Sequence, residues 1–399
     1  MFATSRGRTR SQTSAGRSGS PHPSDVGRFP FAILFACLLI PIVGLCGLHR
    51  ADQLYGPSRL FERQLIWMAL SWVVMLAVTR FSYRSLRHVS PWIYVSSLVL
   101  LIVVLFMPPV NGSRRWIPLG LLNFQPSEPA RLAFIMALAW HLMYRRSQRT
   151  LLGLLPPFLI TVLPLLLILK EPDLGTAMLF LPILYAMLFA AGARPLHLLA
   201  AAVLGIALTP VLWQQMSAEQ KSRVVTVFKQ QDGGAAPRGD GFHLHQSKQV
   251  LALGGITGSI ARNEPMIDDP AAYHLPAART DFILCLIGER YGLAGCLLLV
   301  FLYAVITVQG LRAGLRTREP FGRLVCVGIV TMLATQALIN MSMTVGLMPI
   351  TGITLPMCSY GGSSLLSTCI SMGLLMNIAM RPGFEVAGEP VWNTDAASS

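Results

Sequence analysis

Charge is what this 399-residue chain has least of: Asp, Glu, Lys and Arg make up 13% of it, against 53% hydrophobic residues. One water-soluble core with a polar shell cannot be built from that ratio, so a soluble globular fold is excluded and a membrane supplies the missing apolar solvent. Acidic residues are scarcer still, 18 against 32 basic ones, giving a formal charge of +14. That excess does not point to nucleic acid, which requires a basic face interleaved with aromatics on a soluble domain; here the arginines stand between long apolar runs. Paired cysteines are missing. Cys37, Cys46, Cys285, Cys296, Cys326, Cys358 and Cys369 lie in or beside apolar stretches without a CxxC, which excludes a zinc knuckle or a secreted disulfide framework and leaves membrane packing. Residues 1–28 hold no apolar stretch, so this Ser-, Gly- and Arg-rich segment is expected to be a disordered cytoplasmic tail and not a signal peptide. No repeat of 20–50 residues and no inverted repeat stands out.

Long apolar runs are what the chain does have. A bilayer core ~30 Å thick needs about 20 apolar residues per helix. Runs of that kind predict spans near 30–48, 64–80, 91–108, 129–144, 151–169, 174–192, 196–213, 282–311, 324–345 and 364–380. The expected fold is therefore an all-α integral membrane domain over 29–382 with about ten transmembrane helices. A large extracytoplasmic loop, 214–279, lies between the seventh and eighth spans, and a cytoplasmic tail follows at 383–399. With the N-terminus inside, the cytoplasmic segments collect 17 arginines and the short outer segments five, Arg50, Arg59, Arg63, Arg114 and Arg115. This asymmetry predicts an N-in, C-in orientation.

The residues that are costly in lipid fall in four segments expected at the outer ends of spans: 111–131 (NGSRRWIPLGLLNFQPSEPAR), 170–176 (KEPDLGT), 279–282 (RTDF) and 346–364 (GLMPITGITLPMCSYGGSS). Pro- and Gly-rich backbone at that depth needs protein or a water-filled cavity to satisfy it. Asp281 opens a span directly after a polar loop, where burial would raise a carboxylate toward a useful general base; as a plain alternative it caps the helix, with or without Thr280. Glu128 and Arg131 share a helix face at i, i+3, which suits an ion pair and equally suits phosphate contact through the arginine. In SYGGSS, Ser359, Gly361, Gly362, Ser363 and Ser364 could turn the chain and leave amide donors at a helix N-terminus for a phosphate, although a simple cap explains them as well. Glu171 and Asp173 could hold a cation or pair internally. His243, His245 and His274, and the pair Asp268 and Asp269, lack metal spacing and read as solvated loop residues.

The same segments resemble the SEDS family, whose members include RodA, FtsW and SpoVE. GSRRWIPLG, FQPSE, EPDLGTA, GFHLHQSKQVLALGG, LPAARTDFI and GLMPITGITLPMCSYGGSSLL follow one another in family order over residues 30–382. The PDLGTA, QSK and PITG variants are more similar to the RodA branch. The resemblance implies an inverting peptidoglycan glycosyltransferase that polymerises lipid II into β-1,4 glycan strands outside the membrane, serving cell elongation and shape or division. It implies further that Asp281 deprotonates the acceptor hydroxyl while the growing glycan is held as its polyprenyl pyrophosphate. Arg115, Trp116, Glu128, Arg131, Ser359, Gly361, Gly362 and Ser363 would contact substrate. The implied partner is a class B penicillin-binding protein. No metal ligands are implied, though a divalent cation at the pyrophosphate stays open. Arg131, Arg279 and Arg290 depart from the residues usual in the family, which carries Lys, His and Glu there. Two other functions compete: a flippase for the lipid-linked precursor, and a noncatalytic scaffold for the penicillin-binding protein.

Overall fold

The computed structural model describes residues 29–109, 114–119, 122–145, 147–228, 230, 240–262 and 274–382. Both expected tails, Asp268, Asp269 and parts of the long loop lie outside the described residues. Helices stand at all ten expected positions: α1 (Phe31–Tyr55), α2 (Leu60–Arg80), α3 (Tyr83–Val104), α4 (Ser127–Leu142), α5 (Leu155–Lys170), α6 (Leu174–Ala190), α7 (Pro195–Ala207), then α12 (Ile283–Arg316), α13 (Pro320–Thr344) and α14 (Gly362–Met380). Among the described residues, seven helical stretches are long and apolar enough to cross a membrane; α6 and α7 are apolar but shorter. Between α3 and α4 the chain adds a two-stranded antiparallel hairpin, β1 (Ile117–Leu119) and β2 (Leu122–Phe124), with Ile117 opposite Phe124.

Partition between core and lipid follows from which face each helix buries. Helices α4, α13 and α14 are buried almost all round and form the centre of the bundle. By contrast α2, α3 and α7 expose Ile66, Val73, Val99, Leu199 and Ile206, an apolar exterior that suits hydrocarbon and would be unstable in water. Helix α3 begins eight residues earlier than expected because Pro91 is accommodated inside it, so the charged stretch around Arg84 and Arg87 is helical too. The seventh expected span is interrupted between Ala207 and Thr209, where α7 gives way to the short α8 (Thr209–Gln215).

The long loop is partly helical. Its described parts form α9 (Ala218–Phe228), α10 (Asp240–Gly254) and α11 (Ser259–Arg262), and α10 is seated on α12. Glycines make that approach possible. A Cβ on Gly254 would stand 2.0 Å from the Gly288 carbonyl oxygen, and one on Gly292 would stand 2.4 Å from that of Ile256. Gly292 also breaks α12, with φ 63 and ψ −156, separating a buried first segment of nine residues (283–291) from the longer remainder. The break frees a backbone N–H at Leu293, which donates to the carbonyls of Gly255 (3.1 Å) and Ile256 (3.2 Å). A broken helix at membrane depth is thus satisfied by the loop that covers it.

Candidate active site at one end of the bundle

Four polar segments flagged in the sequence converge at a single end of the bundle. From the hairpin side, Arg115 donates through Nε to the Glu171 carbonyl (2.9 Å), donates to the Pro172 carbonyl, and lies 3.9 Å from Asp173. Asp173 caps α6, accepting from the Thr176 amide at 3.1 Å and its hydroxyl at 2.9 Å, while Gln125 reaches it at 3.4 Å. The Ser363 hydroxyl donates to the Asn123 carbonyl (3.0 Å) and accepts from the Gln125 amide (3.4 Å), tying α14 to the hairpin. Trp116 is half-buried beside Arg115.

Asp281 sits where these elements meet the loop between α13 and α14. It precedes α12 without capping it: the N-cap is Phe282, with no side-chain hydrogen bond. The plain alternative for this residue is therefore not realised. Asn340 of α13 donates from Nδ2 both to the Asp281 carbonyl (2.8 Å) and to the Ile353 carbonyl (2.7 Å), locking the segment to that loop. The carboxylate faces Gly352, whose φ of 71 leaves no side chain over it; a Cβ there would stand 3.7 Å from Oδ2. Asp281 is half-buried. Burial pushes its carboxyl up to about 6, aided by the negative field of Asp173 and opposed by the Thr280 hydroxyl and by Arg223 and Arg115. Such a group is ionised at neutral pH yet basic enough to take a proton from a hydroxyl.

Glu171 behaves differently. It is fully buried and neither carboxyl oxygen has a hydrogen-bond partner among the described residues. Burial first, then Asp173, push it up to about 8 against Arg115, so it is protonated at neutral pH. Internal pairing, one of the two readings open for Glu171, is not what the described residues show.

Other residues expected at the substrate are placed deeper. Arg131 is 2% exposed, pairs with Glu128, and donates to Gln336 Oε1 at 2.6 Å; Gln336 in turn donates to the Thr354 carbonyl at 3.0 Å. The pair braces the α13–α14 loop from beneath. Ser359 accepts from the Leu355 amide (2.9 Å) through its hydroxyl, and its carbonyl accepts from Gln64 (3.2 Å). The Gly361 amide donates to Gln64 Oε1 (3.4 Å). Gly362 is where Trp67 packs on α14, since a Cβ would fall 2.1 Å from the indole, so its smallness serves helix contact. Among the expected helix-cap residues, none makes a side-chain cap on α14.

Sequence reasoning missed Asn340, Gln336, Gln64 and Arg223. The first three had a legible signal, a lone amide in an apolar span, which in a membrane marks either a site or a structural joint. Arg223 belongs to α9, and only the folded loop brings its charge within reach of Asp281. His245 is engaged with Gln249 (2.8 Å) and His274 lies edge-on to Tyr55. Among the described residues no three His, Cys, Asp or Glu converge into a metal-holding group.

A bundle of apolar helices with its polar, carboxylate-bearing segments gathered at one end defines a multi-pass membrane protein. A family model described as "Cell cycle protein", covering FtsW, RodA and SpoVE, matches residues 28–382. The chain belongs to this family. It is similar to a probable peptidoglycan glycosyltransferase FtsW of Geobacter sulfurreducens, 31% identical over 371 residues covering 90% of this chain and 96% of that one. Stage V sporulation protein E of Bacillus subtilis is 32% identical, covering 87% and 96%, and peptidoglycan glycosyltransferase MrdB of Escherichia coli 30%, covering 80% and 85%. Identities this level do not separate the branches. Among solved structures, one described as "Structural coordination of polymerization and crosslinking by a peptidoglycan synthase complex" has a chain that aligns with TM-score 0.77 at 28% identity, covering 90% of this chain and 99% of that one. The rod shape determining protein RodA of Thermus thermophilus shares the fold, with TM-score 0.66 at 24% identity, covering 90% and 99%.

Proposed function

We propose that this chain is an inverting peptidoglycan glycosyltransferase of the bacterial cytoplasmic membrane, oriented N-in and C-in, with the Asp281 end on the outer face. The observation that carries the reading is Asp281 itself: a half-buried carboxylate with raised basicity, backbone-locked by Asn340 and facing an uncovered glycine. Asp281 takes the proton from the 4-hydroxyl of the acceptor N-acetylglucosamine of lipid II. The freed oxygen attacks the anomeric carbon of the polyprenyl-pyrophosphate-linked glycan, the C–O bond to pyrophosphate breaks on the opposite face, and inversion yields the β-1,4 linkage. Arg115 and Arg223, whose charges reach Asp281, would stabilise the negative charge that develops on the pyrophosphate. A divalent cation carried by the pyrophosphate would, among the described carboxylates at this end, meet Asp281 most directly, since Asp173 already accepts from Thr176 and Gln125 and Glu171 is buried. The partner is a class B penicillin-binding protein that crosslinks the strands.

A flippase needs ionisable groups and broken helices at the midplane with access from both sides, whereas here Asp281, Arg115, Glu171 and Asp173 gather at one end of the bundle. The test is to purify the chain with its class B partner, add labelled lipid II, and compare wild type with Asp281→Ala for glycan chains on a gel. Chains from the wild type alone support the reading. Equal polymerisation by the variant removes the base, and lipid II binding without chains from either protein turns the reading toward a scaffold.

A further inference from the structure

The turn that carries Asp281 is poorly determined by its own hydrogen bonds. Ala277 opens it in the left-handed region with φ 55, and the amides of Thr280, Asp281 and Phe282 all point at the single Ala277 carbonyl, at 3.1, 3.0 and 3.3 Å. One carbonyl offers two lone pairs, so the turn must be held from outside. Asn340 and Tyr360 hold its backbone, the latter donating from its amide to the Arg279 carbonyl at 3.0 Å.

The remaining hold comes from the last turns of α1, through two ion pairs of opposite polarity. Arg279 Nη2 lies 3.0 Å from Asp52 Oδ1 and also donates to the carbonyls of Gly56 (2.8 Å) and Ala51 (3.4 Å); Ser58 donates to the same Asp52 oxygen at 2.7 Å. Eight residues beyond Asp281, the fully buried Glu289 accepts a two-pronged bond from Arg50, Nε at 2.7 Å and Nη2 at 2.6 Å. Between the two pairs, Gly47 lets α1 meet Ile283 and Ile287 closely, a Cβ there standing 2.9 Å from the first. Arg279 precedes Asp281 by two residues and Glu289 follows it, so α1 grips the carboxylate's segment on both sides.

We propose that the end of α1 is a positioning clamp for Asp281, in which the Asp52–Arg279 pair sets the placement of the carboxylate and the Arg50–Glu289 fork anchors the helix behind it. This rests on the reading of Asp281 as the base. The Asp52–Arg279 pair reaches solvent, at 18% and 23% exposed, so breaking it strands no fully buried charge, unlike the loss of Arg50 beside Glu289. Its removal therefore affects geometry at Asp281 more than folding. Misplacing a reacting group by about 1 Å is enough to lose roughly 100-fold in rate.

The experiment uses the full chain reconstituted with its class B partner in lipid vesicles, with lipid II as probe, comparing Arg279→Ala, Arg279→Asp, the exchange Asp52→Arg with Arg279→Asp, and Asp281→Ala. Arg279→Ala is expected to lower kcat by about tenfold or more with KM for lipid II within about twofold, since positioning acts on the reacting geometry and not on substrate binding. Arg279→Asp, which sets two carboxylates together, is expected to fall further, and the exchange to recover at least about fivefold over it by restoring the attraction across the same gap. An active Asp281→Ala removes the base reading on which the clamp rests. An inactive Asp281→Ala beside an Arg279→Ala with wild-type kcat overturns the clamp alone. The clamp is equally overturned by a fall in kcat matched by the fall in folded, monodisperse protein, or by an exchange no better than Arg279→Asp.

Discussion

Lowering the pH should silence this enzyme well above the range where an ordinary aspartate titrates. Asp281 stands at about 6 because burial penalises its charged form, whereas a free aspartate lies near 3.8. The base acts only when ionised, so activity is lost as pH falls through the higher value. For a single group titrating at about 6, roughly 90% is ionised at pH 7 and roughly 9% at pH 5, a tenfold loss of rate; an unshifted carboxylate would keep more than about 90% of its activity at pH 5. The assay is the initial rate of lipid II polymerisation by the chain and its class B partner between pH 5 and pH 8. Samples held at pH 5 and returned to pH 7.5 separate titration from inactivation. A rate at pH 5 above half that at pH 7 refutes the reasoning, because no buried base in this position could then be limiting.

Three further outcomes follow from the packing. Asn340→Leu leaves the carbonyls of Asp281 and Ile353 buried without their donor, which costs about 1–3 kcal/mol for each group and should appear as a lowered Tm together with slower polymerisation. Glu128→Gln strands the buried Arg131 and should destabilise by about 3–5 kcal/mol, while replacing both by Met should be milder; thermal unfolding of the two variants compared directly decides it. Gly292→Ala forces a side chain into the left-handed region and against the Ile256 carbonyl, so α10 should lift from α12; faster proteolysis within 240–262 at unchanged membrane insertion is the expected sign.

Much of the architecture was legible because membrane insertion is a local matter: a segment of about 20 apolar residues is helical in lipid whatever it packs against, since its backbone has no other partner. The expected spans thus fall on helices, including α1, α5 and α13, and their ends differ chiefly where a proline such as Pro91 proved compatible with the helix. Helices within the loop after α8 were not legible, for the converse reason. They are polar, and α10 is placed by contacts that no local pattern announces, the close glycine approach to α12 and the Ser247 hydroxyl donating to the Thr344 carbonyl at 3.1 Å.

The candidate site divides along the same line. Asp281, Arg115, Glu128 and Arg131 were recognisable one by one, because a charged residue in an apolar chain is conspicuous. Their roles were not, since a role depends on neighbours far away in the chain. Arg131 proved to brace Gln336, Gly362 to admit Trp67, and Arg279 to reach Asp52, 227 residues away in sequence. The sequence by itself determined that this is an all-helical membrane protein of the FtsW, RodA and SpoVE family with polar chemistry grouped in four segments, because hydrophobicity and motif order are properties of the linear chain. Only the tertiary structure decided which of those polar groups faces open space, which is buried and paired, and how basic Asp281 becomes, because burial and electric field are sums over residues that only folding brings together.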